Sequence, residues 1–170
     1  MTAPNSTQTS WVRVGIGEYA VSDRPEETII TAALGSCVAV CLFDPVAGVA
    51  GMLHFLLPDV RSNPVRAKEE PAAFADSGIR LLFRAAYDLG AVKGRCQVWL
   101  VGGADMTRNP NEDVVKVGQR NILAARAVLW RNGIMIRGEA VGGNSPRTVT
   151  LAVADGQITV KADGRVVSDL

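Results

Sequence analysis

Residues 29–57 form the most apolar stretch of the chain, and the turn sequence Asp44-Pro45-Val46-Ala47-Gly48 divides it in two. A membrane-spanning helix needs about 20 predominantly apolar residues in succession. Here Ser36, Asp44, Pro45, His54 and several glycines break the run, so direct membrane insertion is not expected. What remains are two segments of strand length, CVAVCLF at 37–43 and VAGMLHFLL at 49–57, the second stopped by Pro58. Both are rich in residues that favour a pleated, buried surface. With turn chemistry between them they predict a hairpin whose first strand is central.

The flanking sequence supplies further strands and two helices. Residues 11–16 and 28–33 read as strands, with Gly15 and Gly17 ending the first, and 59–70 reads as a charged loop. From Pro71, the positions Phe74, Gly78, Leu81, Leu82, Ala85 and Leu89 recur near a helical period up to Gly90. Residues 96–101 predict a strand ended by Gly102-Gly103, residues 107–113 a polar surface loop, and 119–130 a second helix closed by Asn132-Gly133. The remainder is β-rich, with strands at 134–141, 148–154, 157–161 and 165–167 and hairpin turns at Asp155-Gly156 and Asp163-Gly164. Strands outnumbering helices in this order predict an α+β chain, a layered α/β sandwich of mixed, mostly antiparallel sheets.

Composition narrows the function classes. At 170 residues and 48% hydrophobic, one core can form without disulfides or metals, so residues 1–10 are expected to be a disordered tail and 11–170 a single domain. Lys plus Arg is 18 against Asp plus Glu 17, a balance that provides no field for nucleic acid or an anionic membrane. Three cysteines at 37, 41 and 96 are an odd count that does not resemble a disulfide framework, and the first ten residues lack an export signal, so a reducing cytoplasm is expected. With one histidine in the chain, chemistry that needs an imidazole must use His54.

The candidate site is therefore Cys37 with His54. An imidazole can draw the proton from a thiol whose ordinary pKa is about 8.5 and return it to a leaving group. The Gly35-Ser36 bend before Cys37 can aim backbone N–H groups at an oxyanion. If Phe43 pairs with Val49, His54 lies opposite Val38 and Cys37 opposite Phe55, which puts the two side chains on opposite faces of an ideal pleat. A bulge at Gly51, or irregular backbone after the bend, would then be needed to bring them together. The alternative is a small buried cysteine and a strand histidine satisfied by a backbone carbonyl. Cys41 and Cys96 read as core, and Glu69, Glu70, Glu112 and Asp113 as solvated loop carboxylates. Neither Gly15-Ile16-Gly17 nor Gly102-Gly103 completes a nucleotide-binding pattern.

Several blocks of the sequence resemble one family. Gly15-Ile16-Gly17-Glu18-Tyr19, the run from Thr31 through Leu34-Gly35-Ser36-Cys37-Val38-Ala39-Val40, and Met52-Leu53-His54-Phe55-Leu56-Leu57-Pro58 resemble CheD, the chemoreceptor glutamine deamidases. Phe74-Ala75-Asp76, Gly102-Gly103-Ala104-Asp105-Met106, Gly118-Gln119-Arg120-Asn121, and Gly142-Gly143 with Arg147 are similar to its later signatures. Residues 144–147, Asn-Ser-Pro-Arg, depart from the family pattern, in which a glycine often precedes the arginine. The resemblance implies a cofactor-free cysteine hydrolase that converts selected glutamines of methyl-accepting chemoreceptors to glutamate. Cys37 would be the nucleophile, His54 the general base and Thr31 the third member that orients the imidazole. It also implies a fold like the catalytic domain of cytotoxic necrotizing factor, and a CheC-type phosphatase as a further partner. Two other activities stay open at this level: a non-catalytic chemotaxis adaptor, and a glutamyl methyl-esterase working through the same thioester.

Overall fold

A computed structural model describes residues 9–106 and 116–170. Most of the expected tail and the whole of the expected 107–113 loop, with Glu112 and Asp113, lie outside the described residues. The order is β1 (Ser10–Arg13), β2 (Glu18–Ser22), β3 (Glu27–Leu34), β4 (Val38–Asp44), β5 (Val49–Phe55), α1 (Pro64–Glu69), α2 (Ala75–Asp88) and β6 (Gln97–Gly102). Then follow α3 (Val117–Arg131), β7 (Ile136–Val141), β8 (Arg147–Ala152), β9 (Ile158–Ala162) and β10 (Arg165–Asp169). The strands form two five-stranded sheets, β1-β3-β8-β9-β10 and β2-β5-β4-β6-β7. Pairing is antiparallel except for β1 with β3 and β6 with β7.

The expected layered α/β sandwich is what these residues build, and the hairpin is its middle. Every residue of β4 and β5 is buried because both faces are covered. Val38, Val40, Leu42, Val49, Leu53 and Phe55 pack against α2 and α3 through Ile79, Leu82, Ile122, Ala125 and Leu129. The alternate set, Ala39, Cys41, Phe43, Ala50 and Met52, meets Ile29, Val149, Leu151 and Val160 of the other sheet. A strand covered on both sides has no polar face to alternate with, which is why these two segments read as continuous apolar runs.

Four details differ from the sequence expectations. Residues 18–22, not assigned to any element, form β2, an edge strand whose exposed positions hide its pairing to β5. The 59–70 loop contains a 3-10 turn at Val60–Ser62 and α1, where Asn63 accepts the Arg66 N–H ahead of Pro64. The helix expected from Pro71 begins at Ala75, because Leu56 and Leu57 N–H both donate to the Ala73 carbonyl and draw 71–73 aside as a separate turn. The last difference is register. Asp44 pairs with Val49, so Ala39 stands opposite His54 and Val38 opposite Phe55. Asp44 belongs to the ladder, not to the turn, because its Oδ1 accepts the N–H groups of Val46 and Ala47 and closes a four-residue loop from within the strand.

Candidate active site

That register decides the site. His54 and Ala39 are a cross-strand pair and so project from one face, and Cys37, two residues before Ala39, follows the same parity. No bulge interrupts β4 against β5, and Gly51 sits in regular ladder. Its missing side chain instead makes room for Leu82 and Val21, each 3.0 Å from where a Cβ would stand. The sequence expectation of opposite faces came from placing Asp44 in the turn, and a one-residue slip reverses every side chain. Both groups face the second sheet, whose Thr31 in β3 meets the His54 ring.

His54 is buried, and its ring is held at one nitrogen. Thr31 Oγ1 lies 2.7 Å from Nδ1 and 2.6 Å from the Val14 carbonyl oxygen. A carbonyl only accepts, so the single hydroxyl proton of Thr31 goes to Val14, and Oγ1 must then accept from His54. The proton of the neutral ring is therefore on Nδ1, and Nε2 presents a bare lone pair. Nε2 is buried and has no hydrogen-bond partner in the described residues, the Cys37 thiol included. Burial lowers the imidazole from 6.5 to about 4, so it is uncharged at neutral pH. A cleft of about 260 Å³, lined by Arg13, Gly15, Ile16, Thr31 and Ala32, reaches His54. That volume lies a little below the roughly 300–1,000 Å³ usual for small-molecule pockets.

Cys37 occupies the end of the hairpin, one residue before β4, and is half-buried. Burial raises its thiol above 9.0, and its own backbone N–H, directed at the sulfur, pulls in the other direction. The other thiols are less suited to reaction: burial carries Cys41 to about 12 and Cys96 to about 11. The bend that presents Cys37 places the left-handed conformation on Ala33, at φ 57°, and the Gly35 N–H is spent on the Ala33 carbonyl at 2.9 Å. Gly35 thus contributes to the bend and has no free donor, while the Ser36 carbonyl is taken by Asn121 Nδ2 at 3.0 Å. At the end of the bend, the Cys37 N–H is a backbone donor beside the sulfur.

Two supports were not apparent from the sequence. Gly102 and Gly103 carry the end of β6 against the Cys37 loop: the Gly103 N–H donates to the Cys37 carbonyl at 2.7 Å, and a Cβ on Gly102 would stand 2.4 Å from that same oxygen. Both glycines have positive φ, 111° and 65°. Asn121 is fully buried in α3 and also donates to the Leu56 carbonyl at 2.9 Å. Its signal was a polar residue one and two turns from Ala125 and Leu129 on the apolar stripe. Asp44 lies at the opposite end of β4, where it binds Arg95 at 2.9 Å and accepts the Val92 N–H at 2.8 Å.

A bare imidazole nitrogen, oriented through its other nitrogen and placed on the strand face of a half-buried thiol, is the equipment of a cysteine hydrolase. Comparison with known proteins agrees with that class. The family model described as CheD chemotactic sensory transduction matches residues 56–162. "Probable chemoreceptor glutamine deamidase CheD 1" of Syntrophus aciditrophicus is 42% identical over 159 residues, covering 94% of this chain and 98% of the relative. Probable chemoreceptor glutamine deamidases CheD of Solibacter usitatus and Pyrococcus abyssi are 41% and 39% identical, covering 89% and 88% of this chain and 89% and 90% of the relatives. The chain belongs to the CheD family.

Proposed function

We propose that this protein is a chemoreceptor glutamine deamidase, with residues 11–170 as its single catalytic domain and Cys37, His54 and Thr31 as its machinery. The observation that carries the reading is the unpartnered Nε2 of His54, fixed as an acceptor by Thr31, on the face shared with Cys37. Kinship to relatives named for this activity supports the choice of substrate.

The chemistry follows from the protonation states. At neutral pH the thiol and the imidazole are both uncharged at rest. The thiol proton passes to Nε2 as sulfur attacks the carboxamide carbon, and the tetrahedral oxyanion accepts a hydrogen bond from the Cys37 N–H. Collapse breaks the C–N bond, and the proton on Nε2 leaves with the nitrogen as ammonia. A water then gives its proton to Nε2 and attacks the thioester; the thiolate departs, recovers the proton, and a glutamate side chain is released. Thr31 stabilises the imidazolium formed midway by accepting from Nδ1–H throughout. No step requires a cofactor.

The substrate face belongs to the cytoplasmic region of methyl-accepting receptors, so the enzyme works in the cytoplasm. A CheC-type phosphatase would compete for the same face. No described helix is long and apolar enough to cross a membrane. The test is to incubate the purified chain with an unmodified receptor cytoplasmic fragment and follow glutamine-to-glutamate conversion by peptide mass spectrometry. Cys37→Ala and His54→Ala are expected to abolish conversion. Wild-type conversion by either variant would overturn the mechanism.

A further inference from the structure

The β4–β5 ladder stops beside the reacting groups. Its last rung joins Val38 to Phe55, and the next position would set Cys37 against Leu56. Instead the Leu56 N–H donates to the Ala73 carbonyl at 3.0 Å, and the Cys37 carbonyl accepts from Gly103 at 2.7 Å. Each strand leaves its partner at the point where Cys37 and His54 must keep a set separation. One side chain spans the opening. Asn121, the fifth residue of α3 and fully buried, donates from Nδ2 to the Ser36 carbonyl at 3.0 Å and to the Leu56 carbonyl at 2.9 Å.

The choice of group is chemically specific. Ser36 and Leu56 both present acceptors, which cannot bond each other and repel when brought close. A neutral carboxamide nitrogen supplies two donors from one atom; a hydroxyl supplies one and a carboxylate none. Placing such a group on a stripe with Ile122, Ala125 and Leu129 costs desolvation, and Oδ1 remains buried without a partner among the described residues. A residue that only filled space here would be better apolar.

We propose that Asn121 is a positioning residue that replaces the missing rung and sets the separation of Cys37 and His54. The inference rests on the reading of those two residues as nucleophile and base. Its effect falls on the chemical step and not on receptor binding, since Asn121 is enclosed and reaches only the two backbone carbonyls.

The experiment measures steady-state deamidation of a receptor cytoplasmic fragment by the full chain, together with thermal melts. Asn121→Ala is expected to lower kcat about 100-fold, the effect of a displacement on the order of 1 Å at a reacting pair, with KM within about threefold of wild type. Asn121→Ser, which retains one donor, is expected to fall between. Leu129→Ala is the control: it removes a buried side chain from the same helix, lowers Tm at least as much, and leaves kcat per folded molecule within about threefold. The proposal is overturned if Asn121→Ala keeps kcat, if it raises KM alone, or if it and Leu129→Ala lose kcat in proportion to Tm. It is also overturned if Asn121→Ala and Asn121→Ser both lack a cooperative melt, which would make the residue part of the fold only. Cys37→Ala in the same assay separates the two levels: activity there would remove the nucleophile reading, whereas an inactive Cys37→Ala beside a normal Asn121→Ala would remove this inference alone.

Discussion

Thr31 spends its only proton on Val14 and so has nothing left to offer His54 but a lone pair. Thr31→Val removes that acceptor and strands the Nδ1 proton in a buried site. An unpaired buried donor costs roughly 1–3 kcal/mol, and loss of tautomer control in a comparable triad costs about 10⁴ in turnover. We expect Thr31→Val to lower kcat at least about 100-fold by the same logic, while Thr31→Ser retains the relay; kinetics on a receptor fragment and a melt of each variant check this. The resting charges lead to a second prediction. An ion pair needs a thiol more acidic than its imidazole, and here the thiol lies above 9.0 and the imidazole at about 4. Alkylation of Cys37 by iodoacetamide should then rise about tenfold per pH unit from about pH 6 to 8, since thiolate is the reactive form. A rate that stays flat across that range would mean a thiolate–imidazolium pair already formed at rest.

At the scale of elements, the hairpin is held at both ends by groups outside it. One end is closed by Gly102, whose absent side chain lets β6 lie against the Cys37 carbonyl. Gly102→Ala meets both that contact and a φ of 111°, and is expected to destabilise by more than about 2 kcal/mol and to lower deamidation in parallel. Gly94→Ala, with open space around it, should do neither, and denaturant melts of the pair provide the comparison. The other end depends on Asp44 and Arg95. How much of this was legible differs by element. β4 and β5 declare themselves because double-sided burial leaves an unbroken apolar run. β2 does not, since a short edge strand with exposed positions carries little periodic signal. The register is not legible, because a ladder residue whose side chain caps its own turn looks, in sequence, like a turn residue.

For the whole molecule, the single histidine makes acid stability interpretable. His54 is depressed to about 4 when folded against 6.5 unfolded, so between those values the unfolded chain binds the extra proton. Stability should therefore fall as pH drops from 6.5 to about 4 and gain no further slope from His54 below that. Asp44 pays desolvation on burial, but its bonds to Arg95 and to the Val92, Ala47 and Val46 N–H groups outweigh it and hold the carboxyl well below its usual 3.8. Its contribution is full above 3.8 and is lost as pH falls below that value. Two acid windows are expected in urea melts taken across pH, and His54→Gln should erase the upper one. If the upper slope survived in that variant, the buried neutral imidazole would not be its source.

By itself the sequence determined the chemical inventory: one imidazole, a thiol behind a glycine bend, two strands apolar enough to lie at the centre, and motif blocks similar to a single family. Those properties are local, set by residue type and spacing. Only the tertiary structure decided that Cys37 and His54 share a face, that Thr31 is an acceptor to His54, and that Asn121 bridges the open end of the hairpin. The first depends on a carboxylate that caps its own turn from within the ladder, the other two on which atom a hydroxyl or an amide finds among partners 17 to 85 residues away, and pattern along one segment holds no record of those choices.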